Sequence, residues 1–199
     1  MVSLFIFNVQ HLTLIMAKVL NTIVNAIKGG VNGALAGGAD LGSSVVGSVK
    51  DITLTTLRGV TDLVVKGVQV PASIVKGAFE GMHAIGTGVI NLVKGIVNGA
   101  VQGAMESGVE QKDAVQGSVK QAIHSAKDLG LNVGEVAVEA VKGSINGVKQ
   151  VGGDTVQATK NSIIAAVEAA GEISIESHRA VKEAIDKGVE GGRDILKQL

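Results

Sequence analysis

Apolar residues recur along the chain with a period of eleven. Cut every eleven residues from Asn25, the sequence aligns into a column that is nearly all polar, running through Gln69, Glu80, Asn91, Gln102, Asp113, His124, Glu135, Asn146, Gln157, Glu168, Arg179 and Glu190, with Ala36 and Gly47 as its breaks. The third, sixth, seventh and eleventh columns are the reverse, as in Val60, Leu63, Val64 and Val68, or Val93, Ile96, Val97 and Val101. Eleven residues over three turns is about 3.67 per turn, close to the 3.6 of an α-helix, so these columns stay on one side of a helix, where strand alternation would scatter them. The pattern predicts an all-α chain of long amphipathic helices in an eleven-residue, three-turn repeat.

The polar positions are themselves zoned. The fourth column favours cations, with Lys50, Lys94, Lys127, Lys149, Lys160 and Lys182, and the fifth favours acids, with Asp51, Asp62, Glu106, Asp128, Glu139 and Glu183. Lysine can lay its stem on apolar surface and send its ammonium to the water boundary, so these six lysines are candidate cations at the edge of a lipid or other apolar surface. The plainer reading is helices that pack on one another with their charges solvated.

Glycine decides how such helices could be held. A helix-interior glycine costs about 0.8 to 1 kcal/mol relative to alanine, so the 28 glycines cost on the order of 20 kcal/mol, and a free helix of this sequence should be largely unfolded in water. Order is therefore expected to be conditional on a surface that rewards the apolar face. Gly29, Gly33 and Gly37 fall at four-residue spacing, as do Gly95, Gly99 and Gly103, which makes them candidate helix-packing glycines and raises self-association as a partner class. Kinks or turns are expected at Gly37 to Asp40 with Ser43 and Ser44, at Val70 and Pro71, at Ser107 to Lys112 and at Gly152 to Asp154. The eleven-residue register survives across each, so one continuous helix on a surface and hairpins or a loose bundle in water are both allowed.

The chain divides by composition into residues 1–16, an apolar extension; 17–106, glycine- and valine-rich repeats; 107–112, a linker or kink; and 113–199, repeats richer in alanine, glutamate and lysine. The first sixteen lack the basic start and cleavage site of a signal peptide, and Asn8, Gln10 and His11 interrupt them before spanning length. They read either as an extension ahead of a second start at Met16 or as a membrane anchor. Downstream, Lys66, Lys76, Glu80 and Lys94 break every apolar run, so no transmembrane helix is expected.

Charge and chemistry narrow the function. Lysine plus arginine and aspartate plus glutamate balance at 18 each, and Trp and Tyr are absent, which removes the basic excess and stacking aromatics of a nucleic-acid binder. Cysteine is absent, so thiolate metal sites and thiol nucleophiles are excluded. His11, His83, His124 and His178 stand too far apart in sequence for a helix-borne metal pair and read as exposed polar residues. Gly29 to Gly33 and Gly152 to Thr155 lack the Gly-Lys-Ser/Thr ending of a phosphate loop. No catalytic, metal or cofactor-binding constellation emerges, and neither a cofactor nor a small-molecule substrate is expected.

The eleven-residue frame and the recurring Val-Lys-Gly steps at Val65-Lys66-Gly67, Val75-Lys76-Gly77, Val93-Lys94-Gly95 and Val141-Lys142-Gly143 resemble those of lipid-surface coat proteins, the perilipins and synucleins above all. The segment from Val93 to Gly103 resembles the perilipin repeat; apolipoproteins and the phasins of polyester granules are similar in architecture alone. Lys66, Lys76 and Lys94 fall in different columns, where synucleins keep the step in one place. Late embryogenesis abundant proteins share the period, but this chain has a positive mean hydropathy and they are far more hydrophilic. The resemblance implies a protein coating a lipid droplet, polyester granule or membrane; the missing catalytic constellation makes a non-enzyme the expectation, and with no cysteine a cytoplasmic address is the default. A helical scaffold or self-assembling bundle, and a stress-protective disordered protein, are the alternatives.

Overall fold

The computed structural model describes residues 41–58, 69–84 and 88–199, and all of its regular structure there is helical. In chain order the helices are α1 (Leu41–Arg58), α2 (Gln69–Ala84), α3 (Val93–Glu106, entered through a 3₁₀ turn at Val89–Leu92), α4 (Gln111–Asp128), α5 (Val133–Gln150), α6 (Thr155–Ile173), α7 (Ile175–Gly188) and the short α8 (Gly192–Leu196). The sequence allowed one continuous helix or hairpins; in the described residues the chain folds into hairpins.

Three successive turns are built alike. Each helix ends on a glycine with positive φ, Gly108 at 87°, Gly130 at 66° and Gly152 at 75°. The next amide reaches back six residues inclusive: Val109 N–H donates to the Ala104 carbonyl at 3.0 Å, Leu131 to Ala126 at 2.8 Å, and Gly153 to Val148 at 2.9 Å. These are Schellman closures, which satisfy carbonyls a helix end leaves unpaired and favour glycine because its lack of Cβ makes the left-handed conformation cheap. A capping residue comes next in two of them. The Asn132 side chain accepts from Glu135 N–H at 3.2 Å, and Asp154 Oδ1 accepts from Val156 and Gln157 N–H at 2.9 and 3.0 Å. Pro71, by contrast, interrupts nothing: it is the third residue of α2, where no intrahelical bond needs its missing N–H.

The hairpins stack into two layers. α1, α3, α5 and α7 form one row, each packed on the next, and α2, α4 and α6 form the other, with α8 returning against α7 and touching α6. Between the rows lies a continuous core of small aliphatic side chains, in which Phe79, Leu57, Ile74, Met82, Ile96, Ile123, Ile163 and Ile185 are the largest fully buried. The apolar columns of the repeat are consumed there: Val93, Ile96, Val97 and Val101 are all buried, and the large apolar residues left exposed among the described ones are Val156, Ile175 and Leu199. The apolar face of each helix thus meets neighbouring helices. Few polar groups enter the core: the Ser144 and Ser162 hydroxyls meet 2.6 Å apart between α5 and α6, Thr53 bonds back to the Val49 carbonyl of its own helix, and Ser118 Oγ is buried without a partner.

Candidate functional site

Glycines set the spacing of the first row. A Cβ at Gly99 would stand 2.5 Å from the Val46 carbonyl oxygen and one at Gly103 2.7 Å from that of Lys50, so α3 lies backbone to backbone against α1. The same pair recurs forty-four residues on: a Cβ at Gly143 would meet the Lys94 carbonyl at 2.5 Å, and one at Gly147 that of Asn98 at 2.9 Å. In each pair the residue numbers rise together, so α1, α3 and α5 run parallel, as every second helix of an up-and-down stack must. Of the candidate packing glycines, Gly99 and Gly103 are therefore buried in the α1 contact and Gly95 is half-buried; Gly29, Gly33 and Gly37 lie outside the described residues.

Close approach of α3 to its neighbours leaves a polar cleft of about 460 Å³ on the outer side of this row, lined by Ser43, Val46, Asn91, Lys94, Gly95, Asn98 and Gln150. Beneath it lies a side-chain amide chain. Gln102 Nε2 donates one hydrogen to Asn98 Oδ1 at 2.7 Å and the other to Gln150 Oε1 on α5. Asn98 and Gln102 are each only 6% exposed, which makes them the most deeply held amides in the row. With both oxygens turned toward Gln102, the NH₂ groups of Asn98 and Gln150 are left for the cleft. A second recess of about 410 Å³ shares Asn91 and continues along α5, lined by Ile90, Val138 and Ala184 together with Glu135 and Glu139. The polar column placed Asn91 and Gln102 on the solvent side, yet Gln102 is buried, and nothing in the sequence singled out Asn98 or Gln150. Their signal is a helical spacing that pairs an amide at 98 with one at 102.

The six candidate boundary lysines are divided between the rows. Lys50, Lys94, Lys149 and Lys182 lie on α1, α3, α5 and α7, whereas Lys127 and Lys160 lie on α4 and α6. Lys50 is half-buried and pairs with Glu106 of α3 at 2.8 Å. Lys94, Lys127, Lys149 and Lys160 are exposed, Lys127 standing 3.8 Å from its neighbour Asp128. Among the described residues Lys94 has no carboxylate partner, which leaves its ammonium to the cleft.

Other charges tie the second row together. Lys120 of α4 reaches Glu168 of α6 at 2.7 Å, and His124, expected to be simply exposed, is half-buried with Nε2 3.2 Å from Glu172. At the far end Arg193 of α8 grips Asp186 of α7 with two bonds of 2.7 and 2.9 Å, which hold the Asp186 carboxyl below its usual range. Hydrogen bonds from its own backbone amide and the Ser174 hydroxyl lower Glu176 in the same way, at the start of α7. Among the described residues no cluster of His, Cys, Asp or Glu is arranged to hold a metal, and no helix is long and apolar enough to cross a membrane.

No protein-family model and no curated protein sequence matches this chain. Among solved structures it is similar to the crystal structure of a de novo designed helical repeat protein, at 20% identity and a TM-score of 0.52, over 92% of this chain and 95% of that one. The likeness concerns the fold alone, and it is the fold assembled above: a two-layer helical repeat.

Proposed function

We propose that this protein is a non-enzymatic helical-repeat scaffold that folds on itself and offers the outer surfaces of its rows to a partner. The carrying observation is that the apolar columns of the eleven-residue repeat face one another between two rows of helices, with few large apolar side chains left over. A lipid coat would need that same face turned outward, which means opening the hairpins and giving up the buried core. The scaffold needs no such exchange. Repeat arrays of this kind bury a shared core that no single unit could, and present extended surfaces for binding.

The test is far-UV circular dichroism of the purified chain in buffer, then titration with vesicles of phosphatidylcholine alone and of phosphatidylcholine with phosphatidylserine. The scaffold reading expects a strongly helical spectrum that melts cooperatively and is unchanged by either vesicle. A coil spectrum that becomes helical only with lipid would overturn it in favour of the surface coat.

A further inference from the structure

We propose that the cleft between α1, α3 and α5 binds a carboxylate carried by an extended protein segment. The inference rests on the folded array proposed above. Everything polar that the cleft offers from α3 and α5 is a donor or can serve as one: the Lys94 ammonium, the NH₂ groups of Asn98 and Gln150, and the Asn91 amide at its upper edge. Among the described residues no acidic side chain lines it. Asn98 lies nine-tenths buried with its oxygen held by Gln102, which leaves its solvent-accessible nitrogen as a fixed donor at the cleft. The donors are also held in place. Because one Gln102 nitrogen binds both amide oxygens, those oxygens are no more than about 6 Å apart, and neither side chain has to be ordered when a ligand arrives.

One ammonium with neutral amides matches a singly charged acceptor with two oxygens. A phosphate dianion would call for a second cation, and the paired lysines of α1 and α5, Lys50 and Lys142, are spent on Glu106 and Glu139. The adjoining recess defines the residues that come after the carboxylate. It is apolar at Ile90, Val138 and Ala184 and acidic at Glu135, with Glu139 beside it already paired to Lys142. From Asn98 back to Ile90 is eight residues of helix, about 12 Å. An extended segment covers that in three or four residues at about 3.3 Å each. The segment recognised is therefore an acidic residue, then small apolar ones and, three or four places from the acid, a basic residue.

The test uses the full chain labelled with ¹⁵N, tracking the side-chain NH₂ resonances of Asn98 and Gln150. The probes are the peptide acetyl-Gly-Glu-Ala-Val-Lys-Gly-amide, the same peptide with Gln in place of Glu, and inorganic phosphate. The expected result is that the Glu peptide shifts both NH₂ signals, that the Gln peptide leaves them in place, and that Lys94→Glu, an exposed change, raises Kd about tenfold or more. An equal response to the Gln peptide, a stronger response to phosphate, or binding indifferent to Lys94→Glu would each overturn the assignment. Dichroism of the same sample separates the two levels: a helical protein whose NH₂ signals stay silent sinks the cleft alone, and a coil sinks both the cleft and the scaffold.

Discussion

At Gly143 the gap between α3 and α5 is set by the absence of a single methyl group, since a Cβ there would lie 2.5 Å from the Lys94 carbonyl and 3.1 Å from its Cα. Both are main-chain atoms that cannot swing aside. Helix propensity favours alanine over glycine by about 1 kcal/mol, and overpacking against backbone costs about 1 to 3 kcal/mol, so the clash wins. Gly143→Ala should lower stability, and Gly47→Ala on α1, where nothing lies within 4 Å of an added Cβ, should raise it by about 1 kcal/mol. Urea melts read by dichroism check both; two shifts of the same sign would show that the close approach does not govern stability. The spacing of Gly95, Gly99 and Gly103 marked one side of α3, and Gly99 and Gly103 lie in the α1 contact. What the glycines pack against was not legible, because a spacing names one surface and leaves its partner open. Gln102 was misplaced for a related reason: a polar column marks the side of a helix facing away from the core, and the neighbouring parallel helix can cover that side too.

Turns carry the same lesson to the scale of elements. The seventh column runs Val97, Gly108, Val119, Gly130, Val141, Gly152, Ile163, and its alternate glycines are the three left-handed turn residues. The period was legible as eleven, but the unit that folds is twice that: one helix and its turn. Helical periodicity alone could not show this, since a helix on lipid and a helix on another helix need the same apolar face; the alternation could, and the turn at Leu129 to Asn132 was missed without it. At the last element the electrostatics decide. Asp186 is held below its ordinary range chiefly by the Arg193 guanidinium, and a carboxyl depressed in the folded state contributes stability above its unfolded pKa and loses it as pH falls through the folded one. Acidification below the ordinary carboxylate range should therefore release α8 from α7 before the hairpins open, seen as faster amide exchange confined to residues 192–197 after correction for intrinsic rates. Arg193→Gln should loosen α8 already at neutral pH. Exchange there that ignores both changes would show that the pair contributes nothing to docking.

Across the whole molecule, α5 stands to α3 as α3 stands to α1, through Gly143 and Gly147 in one case and Gly99 and Gly103 in the other. Deleting residues 88–131, two helices with their turns, should therefore bring α5 onto α1 and α6 onto α2 with the glycine contacts preserved and Asn132 still capping α5. The shortened chain is expected to keep its helicity per residue and melt cooperatively, at a lower temperature because less core is buried. Loss of helicity on deletion would mean that the contacts are not interchangeable and the array is not modular. The locality of these contacts has a consequence for how the protein is made. Each described helix packs on its neighbours and on the next but one, so as the polypeptide leaves the ribosome every new hairpin meets a surface already in place. No helix has to wait for a distant strand of sequence still to be translated, and at any moment only the growing end shows its apolar side to the cell.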